Sequence, residues 1–268
     1  MIPNVLSIAG SDPSGGAGIQ ADIKAISANG AYAMAVITAL TAQNTQGVSG
    51  VELVPPAFVA AQIDAVFSDI RVDAVKIGMI ATDEIAATVA DALVRHAAAN
   101  VVLDPVMVAK GGDRLLAEEA IATIRDRLLP RTLVLTPNLP EAAALLDRPE
   151  PTSRDQMTAL AEALRDLGPT WVLMKGGHLR GDDSPDYLAG PDGGRWLEGQ
   201  RSKTANTHGT GCTLSSALAA RLAITGNVAA AAREAKAYIS AAIAAADELD
   251  VGSGHGPTNH FARLWLDG

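Results

Sequence analysis

A glycine-rich segment at residues 204–220 carries the residue pattern with the clearest chemical meaning. Gly209 and Gly211 lie in its small, polar first half, and leucines follow at every fourth position from Leu214. That spacing predicts a helix that begins at the glycines. A helix N-terminus presents unpaired backbone N–H groups in one direction, and the helix dipole adds positive potential there. The segment therefore predicts a cradle for a phosphate or for a phosphoryl group in transfer.

The only cysteine of the chain, Cys212, falls in the first turn of this predicted helix. Backbone amides and the helix dipole favour a thiolate, so we expect the pKa of the Cys212 thiol to be lowered. The alternative is an ordinary junction between a loop and a helix, with a cysteine that only packs.

Polar residues also follow most of the predicted strands, in six segments at residues 10–18, 41–47, 78–79, 104–107, 136–141 and 175–178. Ligands of open parallel sheets bind beyond the carboxyl ends of the strands, so we expect these segments to meet at one edge. Two carboxylates for hydrated Mg²⁺, a lysine for phosphate and an amide-lined anion hole form the minimum set for phosphoryl transfer.

Each of these residues also has a plainer interpretation. Asp22, five residues into a predicted helix, would usually be a solvated surface acid. Asp104 could open a turn, and Glu141 could complement the N-terminus of its own helix. Lys175 could be a solvated charge at a strand end. Taken separately these interpretations are favoured, whereas the set as a whole favours phosphoryl transfer.

Other nucleotide and metal motifs do not fit the sequence. The glycines of residues 10–18 do not match G-x-G-x-x-G, which disfavours a dehydrogenase, and no G-x-x-x-x-G-K-[ST] occurs. His178 and His208 have no partners at a spacing that suggests zinc, and they are interpreted as loop histidines.

Composition limits the class of protein. Of the 268 residues, 48% are hydrophobic and 19% charged, which is enough for a large buried core. The net charge of −9 argues against a nucleic-acid partner but not against a nucleotide. One cysteine excludes an intramolecular disulfide framework. The start of the chain does not resemble a signal peptide, and the longest apolar run, 31–40, is too short for a bilayer. We expect a cytoplasmic, soluble protein without a membrane partner.

Short β-branched runs alternate with helical patterns for most of the chain. Strands are predicted at residues 5–9, 32–40, 72–77, 101–103, 133–135 and 171–174. Helices are predicted at residues 17–28, from Pro56, after Thr82, at 117–129, from Pro140, after Ser153 and at 228–249. This order favours a mainly parallel sheet with helices on both faces. A hairpin is expected at 187–197, and one domain over 1–268, because no linker-like stretch occurs.

Two helix starts carry capping signals. Thr82 is expected to cap the helix that follows it. Ser153 and Gln156 are expected to form a capping box.

The chain resembles the hydroxymethylpyrimidine/phosphomethylpyrimidine kinases of thiamine biosynthesis, in the ribokinase-like superfamily. The matching segments are residues 9–22, 39–45, 75–79, 103–107, 136–138 with Glu141, 174–178 and 206–213. The resemblance implies a ribokinase-like α/β fold: a three-layer sandwich with a central mainly parallel sheet flanked by helices, plus a small β-hairpin region.

The resemblance also implies a two-step activity. ATP would phosphorylate the hydroxymethyl group of 4-amino-5-hydroxymethyl-2-methylpyrimidine, and a second ATP would extend the monophosphate to the diphosphate. ATP and Mg²⁺ are the implied cofactors, and whether a monovalent cation assists is left open. Relatives suggest a homodimer, and no fused synthase domain is expected.

By match of motif, the resemblance assigns roles to four groups of residues. The catalytic group, which includes the anion hole, is Gly209, Thr210, Gly211, Cys212 and Lys175. The residues for the pyrimidine are Gly10, Asp22, Gln43, Met79, Val106 and His208. The residues for ATP are Asn138, Lys175, Thr204 and Lys236. The residues for Mg²⁺ and its waters are Asp104 and Glu141, with Asn138 beside them.

Cys212 departs from the wider superfamily, whose sugar kinases usually place an aspartate base at this position. General-base action by Cys212 is therefore a hypothesis. The nearest alternative function is a pyridoxal or pyridoxine kinase, because vitamin B6 alcohols present a similar hydroxymethyl group. An alternative of another class is a non-catalytic vitamin-binding or regulatory protein on the same fold.

Overall fold

The computed structural model describes residues 1–107 and 118–265. Ten strands are present in these residues: β1 (Asn4–Ala9), β2 (Tyr32–Ile37), β3 (Ala39–Asn44), β4 (Gly47–Leu53), β5 (Ala74–Ile77), β6 (Val101–Leu103), β7 (Val134–Leu135), β8 (Trp171–Lys175), β9 (Asp186–Ala189) and β10 (Arg195–Leu197). Eight of them form one sheet in the order β10-β9-β8-β7-β6-β5-β1-β2, and β3 pairs with β4 in a separate two-stranded sheet.

The α-helices of the same residues are α1 (Gly18–Ala28), α2 (Pro56–Phe67), α3 (Asp83–Arg95), α4 (Glu118–Thr123), α5 (Leu139–Leu146), α6 (Arg154–Arg165), α7 (Thr210–Thr225) and α8 (Val228–Ala244). The predicted helix at 117–129 is only partly regular. After α4 it continues as a π-helical turn, Ile124–Leu128, and a 3-10 turn, Leu129–Arg131. Residue 117 lies outside the described residues.

Alternating side chains of the strands build two apolar cores, one on each face of the sheet. Leu6 and Ile8 of β1 point into the core formed with α2, α3, α5 and α6, and Val5 points into the core formed with α1, α7 and α8. Each buried aliphatic side chain of this kind contributes about 1.5–3 kcal/mol to folding. The three-layer α/β architecture is thereby confirmed.

Strands β1, β2, β5, β6, β7 and β8 are parallel. β9 pairs antiparallel with β8, and the edge strand β10 pairs antiparallel with β9. The hairpin predicted at 187–197 is therefore confirmed, and it extends the main sheet.

The single strand predicted at 32–40 is wrong, because the chain bends at Thr38. There the Thr38 side chain donates a hydrogen bond to the Met79 carbonyl, 2.7 Å away, and Val54 N–H donates to the Thr38 carbonyl. These bonds turn β3 away from β2 and into a hairpin with β4. The polar segment at 41–47 is consequently strand and turn, and it carries Gln43 on β3.

The capping predictions have two outcomes. Thr82 caps α3 by accepting a hydrogen bond from Ile85 N, which confirms that prediction. Ser153 caps α6 through Gln156 N, but the Gln156 side chain accepts from Thr152 N, so the reciprocal half of the capping box is not formed. Among the described helices, none has the length and apolar character needed to cross a membrane.

Candidate active site

A cavity of about 1040 Å³ opens beyond the carboxyl ends of the parallel strands. Fifteen of the residues predicted from the sequence line it: Gly10, Gln43, Met79, Asp104, Val106, Asn138, Glu141, Lys175, Thr204, His208, Gly209, Thr210, Gly211, Cys212 and Lys236. Asp22 does not. Eight of the fifteen come from the strand-end segments, which therefore meet at one edge of the sheet as expected.

The start of α7 has the geometry of an anion cradle. Gly209 caps the helix with a left-handed φ of 74°, and a β-carbon there would collide with the Gly16 carbonyl oxygen. Thr213 N–H donates the first bond along the helix, to the Gly209 carbonyl at 2.9 Å. The amides of residues 210–212 precede it and have no acceptor within the helix. Thr210 N–H donates to the Thr207 carbonyl at 3.4 Å, which leaves Gly211 and Cys212 as the amides of the cradle.

Lys175, at the end of β8, joins two carboxylates at this edge. Its Nζ lies 2.7 Å from Asp104 Oδ1 and 3.7 Å from Glu141 Oε2. Burial works to lower the pKa of Lys175, but the two carboxylates outweigh it and raise that pKa above its usual value. Lys175 is thus a fixed cation rather than a solvated charge.

Glu141 has a second contact set, in the first turn of α5. Its side chain accepts from Asn138 N and its own N–H donates to Asn138 Oδ1, each at 2.8 Å. This capping box confirms the plainer interpretation of Glu141, in which it complements the N-terminus of its own helix. The same side chain also lines the cavity. Burial and the neighbouring Asp104 raise the pKa of Glu141 to about 7, although Lys175 opposes the shift.

The amide cradle and the charged cluster are adjacent. A β-carbon at Gly211 would lie 3.3 Å from Lys175 Nζ and 3.4 Å from Asp104 Oδ2. Ser215, one turn further along α7, donates to Asp104 Oδ2 at 3.3 Å. A phosphate held by the amides would therefore lie beside Lys175 and Asp104.

The donor chemistry of this cluster fits Mg²⁺. Within residues 1–107 and 118–265, no group of three or more His, Cys, Asp or Glu side chains could hold a metal alone. Mg²⁺ does not require three protein ligands, because it keeps several waters and binds through one or two carboxylates plus substrate phosphates. Asp104 and Glu141 supply that number of carboxylates.

The expected lowering of the pKa of Cys212 is wrong. Burial raises the pKa of the thiol to about 11, and the charges of Asp22 and Asp104 add to that effect. Lys76 and the Gly18 amide oppose it without cancelling it. The helix N-terminus is thus outweighed by desolvation, and Cys212 is a neutral thiol near pH 7.

The part of the cavity opposite the cradle combines an apolar wall with amide and imidazole groups. Met79 and Val106 form the wall, and Gly10 leaves room for the Met79 side chain, since a β-carbon there would lie 3.1 Å from its sulfur. Gln43 Nε2 lies 3.4 Å from His208 Nε2. A small heteroaromatic ring with polar edges fits such a wall.

Asp22 is the one predicted binding residue that the structure places elsewhere. It is fully buried behind the cavity, and its oxygens accept from Ser7, Lys76 and Ser216. The prediction that Asp22 bonds to a ring amine is therefore wrong for this arrangement, because its acceptors are occupied by protein donors.

Thr204 and Lys236, two of the residues assigned to ATP, also line the cavity. Thr204 Oγ1 donates to Asp247, and Lys236 Nζ lies 2.8 Å from Asp186 Oδ2 and donates to the Ser184 carbonyl at 2.7 Å. Both side chains line the cavity, as predicted, but they are engaged with the protein.

Sequence reasoning missed several residues at or under this site. Asp12 bonds to His208 at 2.7 Å, and hydrogen bonds from His208 and Ser14 lower its pKa to about 2 against the effect of burial. Asp186 fixes Lys236 and accepts from Gly176 N. Lys76 pairs with Asp22. Only Lys76 had a visible signal, since a charge inside the apolar strand Ala-Val-Lys-Ile must be buried with a partner.

An α/β sandwich with an amide cradle and a lysine between two carboxylates at the carboxyl edge of its sheet is the arrangement of a small-molecule kinase. The chain belongs to the phosphomethylpyrimidine kinase family, whose sequence model matches residues 12–259. It is 55% identical over 262 residues to the hydroxymethylpyrimidine/phosphomethylpyrimidine kinase of Salmonella typhimurium, an alignment that covers 98% of each chain.

Two solved structures support the fold. The phosphomethylpyrimidine kinase of Clostridium difficile superposes with a TM-score of 0.79 at 42% identity, over 88% of this chain and 97% of that one. The pyridoxal kinase of Bacillus subtilis, solved as an ADP complex, superposes with a TM-score of 0.91 at 36% identity, over 98% and 100%. The expected ribokinase-like fold is confirmed.

Proposed function

We propose that this protein phosphorylates 4-amino-5-hydroxymethyl-2-methylpyrimidine with ATP, and then phosphorylates the monophosphate to the diphosphate, in thiamine biosynthesis. The observation that carries the proposal is that Gly211, in the amide cradle, lies beside the pair Lys175–Asp104 within one cavity. Membership of the phosphomethylpyrimidine kinase family supports the acceptor.

Different groups of cavity residues would have different roles in phosphoryl transfer. The amides at the start of α7 and the Lys175 ammonium would stabilise charge on the transferring group, where fixed donors are most effective. Asn138, Thr204 and Lys236 line the remaining space for the nucleotide. Gln43, Met79, Val106, His208 and Gly10 would hold the pyrimidine, and its hydroxymethyl group would face Cys212.

Asp104 and Glu141 would hold Mg²⁺, directly or through its waters. When bound, the ion neutralises phosphate charge during transfer. Because Lys175 contacts both carboxylates, ion binding and the position of this lysine are coupled.

Cys212 would take the hydroxyl proton in the first step. With a pKa raised to about 11, its thiolate is scarce near pH 7 but is a stronger base for an alcohol. The acceptor of the second step is already an anion, so that step should depend less on Cys212.

A direct test incubates the purified protein with Mg²⁺, ATP and the pyrimidine alcohol. ADP release should require the pyrimidine, and ³¹P NMR should show the monophosphate before the diphosphate. No pyrimidine-dependent ADP release would reject the proposal. The non-catalytic alternative predicts that outcome.

Vitamin B6 alcohols are the second candidate substrates, and the TM-score of 0.91 with a pyridoxal kinase favours testing them. We expect kcat/KM for the pyrimidine alcohol to exceed that for pyridoxal. The reverse order would identify the protein as a pyridoxal kinase.

We also propose a homodimer formed through the β3–β4 hairpin and α2. Leu40, Val51, Leu53 and Phe58 are 45–61% exposed there. Sedimentation of a Phe58→Glu variant should show a monomer where the wild type shows a dimer.

We further propose one domain over residues 1–268, since a continuous core spans β1 to β9, and a cytoplasmic location.

A further inference from the structure

A fully buried ion pair lies behind the candidate site. Lys76 Nζ, on β5, lies 2.8 Å from each carboxylate oxygen of Asp22, on α1. Both side chains have no exposed surface, and neither lines the cavity. The mechanism above gives no function to either residue.

Two serine hydroxyls complete the surroundings of the Asp22 carboxylate. Ser7 Oγ, on β1, donates to Oδ2 at 2.6 Å, and Ser216 Oγ, on α7, donates to Oδ1 at 2.7 Å. A single carboxylate thus ties together α1, β1, β5 and α7.

Each of these four elements carries part of the site. β1 leads to Gly10, β5 leads to Met79, and α7 begins at the amide cradle. α1 begins at Gly18, whose backbone amide opposes the rise in the pKa of the Cys212 thiol. Ser216 lies one helical turn after Cys212 on α7. The ion pair therefore lies where the four elements that carry the amide cradle, Cys212 and the wall of the cavity meet.

Stability alone does not account for such a pair. Removing two charges from water costs several kcal/mol per ion, and well-packed apolar residues often stabilise a core equally well. The positive charge has a local effect as well, since Lys76 opposes the rise in the pKa of Cys212 while Asp22 and Asp104 promote it.

We propose that Asp22 and Lys76 are positioning residues: they hold the first two turns of α7 against β1 and β5, and so fix the amide cradle and Cys212 without contacting substrate. The turnover part of this inference rests on the proposed kinase function. The thiol reactivity of Cys212 gives a readout that does not.

The kinetic test uses the double variant Asp22→Asn with Lys76→Met, which leaves no unpaired buried charge. We expect kcat for the pyrimidine alcohol to fall at least tenfold and KM to change less than threefold. A tenfold rise in KM at constant kcat would show that Asp22 binds the ring, and unchanged constants would show a purely structural pair. Either result overturns the proposal.

Two further variants distinguish a specific effect on turnover from a loss of stability or a failure to fold. Ile63→Ala, in the core on the other face of the sheet, is the control for lost stability and should leave kcat within twofold. Ser216→Ala removes one bond to Asp22 and keeps the ion pair, so it serves if the double variant does not fold. We expect its kcat to fall at least threefold, and a smaller loss overturns the proposal.

The second readout is alkylation of the single cysteine by iodoacetamide at pH 8.5. The double variant should slow it at least twofold, because Lys76 affects the Cys212 thiolate more strongly than Asp22 does, so the loss of both charges disfavours the thiolate. An unchanged or faster rate overturns the inference. This rate needs no phosphoryl transfer, so it separates failure of the inference from failure of the proposed function.

Discussion

Lys175 Nζ lies 2.7 Å from Asp104 Oδ1, although 71 positions separate the two residues in the chain. The strand order brings them together, because β7 alone separates β6, which ends before Asp104, from β8, which ends at Lys175. The contact places a permanent cation beside the amide cradle.

Replacement of Lys175 by methionine should lower kcat at least about 100-fold, since loss of one donor to developing charge typically costs 10²–10³. KM for the pyrimidine should change less than threefold, because Lys175 is assigned to the phosphates. Steady-state kinetics with both substrates provide the measurement. The exposed Lys203→Met is the control, and a similar loss there would refute the assignment.

Glu141 should make the protein less stable as pH rises from about 4.5 to 7. Its pKa is raised to about 7 in the folded chain, so the native state keeps a proton that the unfolded state has lost. The effect is up to about 3 kcal/mol. Glu141→Gln keeps a side-chain acceptor for the helix cap and does not titrate.

Urea unfolding of both proteins without Mg²⁺, at pH 5 and pH 8, measures this effect. The variant should gain stability relative to the wild type at the higher pH. An identical difference at both values would contradict the shifted pKa.

Cys212 should give the first reaction a pH dependence that the second lacks. Because its pKa is raised to about 11, kcat/KM for the alcohol should rise about tenfold per pH unit between pH 7.5 and 10. Cys212→Ser should lose more of the first reaction than of the second and should flatten the profile. Near-normal turnover of Cys212→Ala would eliminate the cysteine as the base.

Gly209 and Gly226 cap the two ends of α7, both with left-handed backbone, and allow a matched comparison. Alanine at either position costs about 1–2 kcal/mol of strain. Only at Gly209 would the new β-carbon meet a neighbour, the Gly16 carbonyl, whereas Gly226 faces open space. Gly209→Ala should therefore lose more stability and at least 100-fold in kcat.

Thermal unfolding and turnover of the two variants decide this comparison. Gly226→Ala should keep kcat within twofold. Equal loss of activity in both would mean that the cradle is not specifically required.

Local patterns in the sequence are sufficient to predict the layers and the edge of the sheet where the site lies. Strand-end residues such as Asp104 and Lys175 converge in any sheet of this kind, so their proximity follows from element order. The resemblance supplied Thr204, which has no local signal, and singled out Gln43 within the polar segment 41–47.

Features that depend on distant contacts could not be predicted in this way. The bend at Thr38 depends on a bond to Met79, 41 positions away. The burial of Asp22 depends on Lys76, and the raised pKa of Cys212 depends on how many neighbours exclude water from it. Helix periodicity contains none of this information.

A crystal structure of the protein with the pyrimidine alcohol and a non-hydrolysable ATP analogue would show whether the start of α7 holds the transferring phosphate. We expect the terminal phosphate within about 3 Å of the amides of Gly211 and Cys212, with the hydroxymethyl oxygen between that phosphate and Cys212. A phosphate bound away from these amides, or a pyrimidine outside the wall formed by Gln43 and Met79, would contradict this expectation.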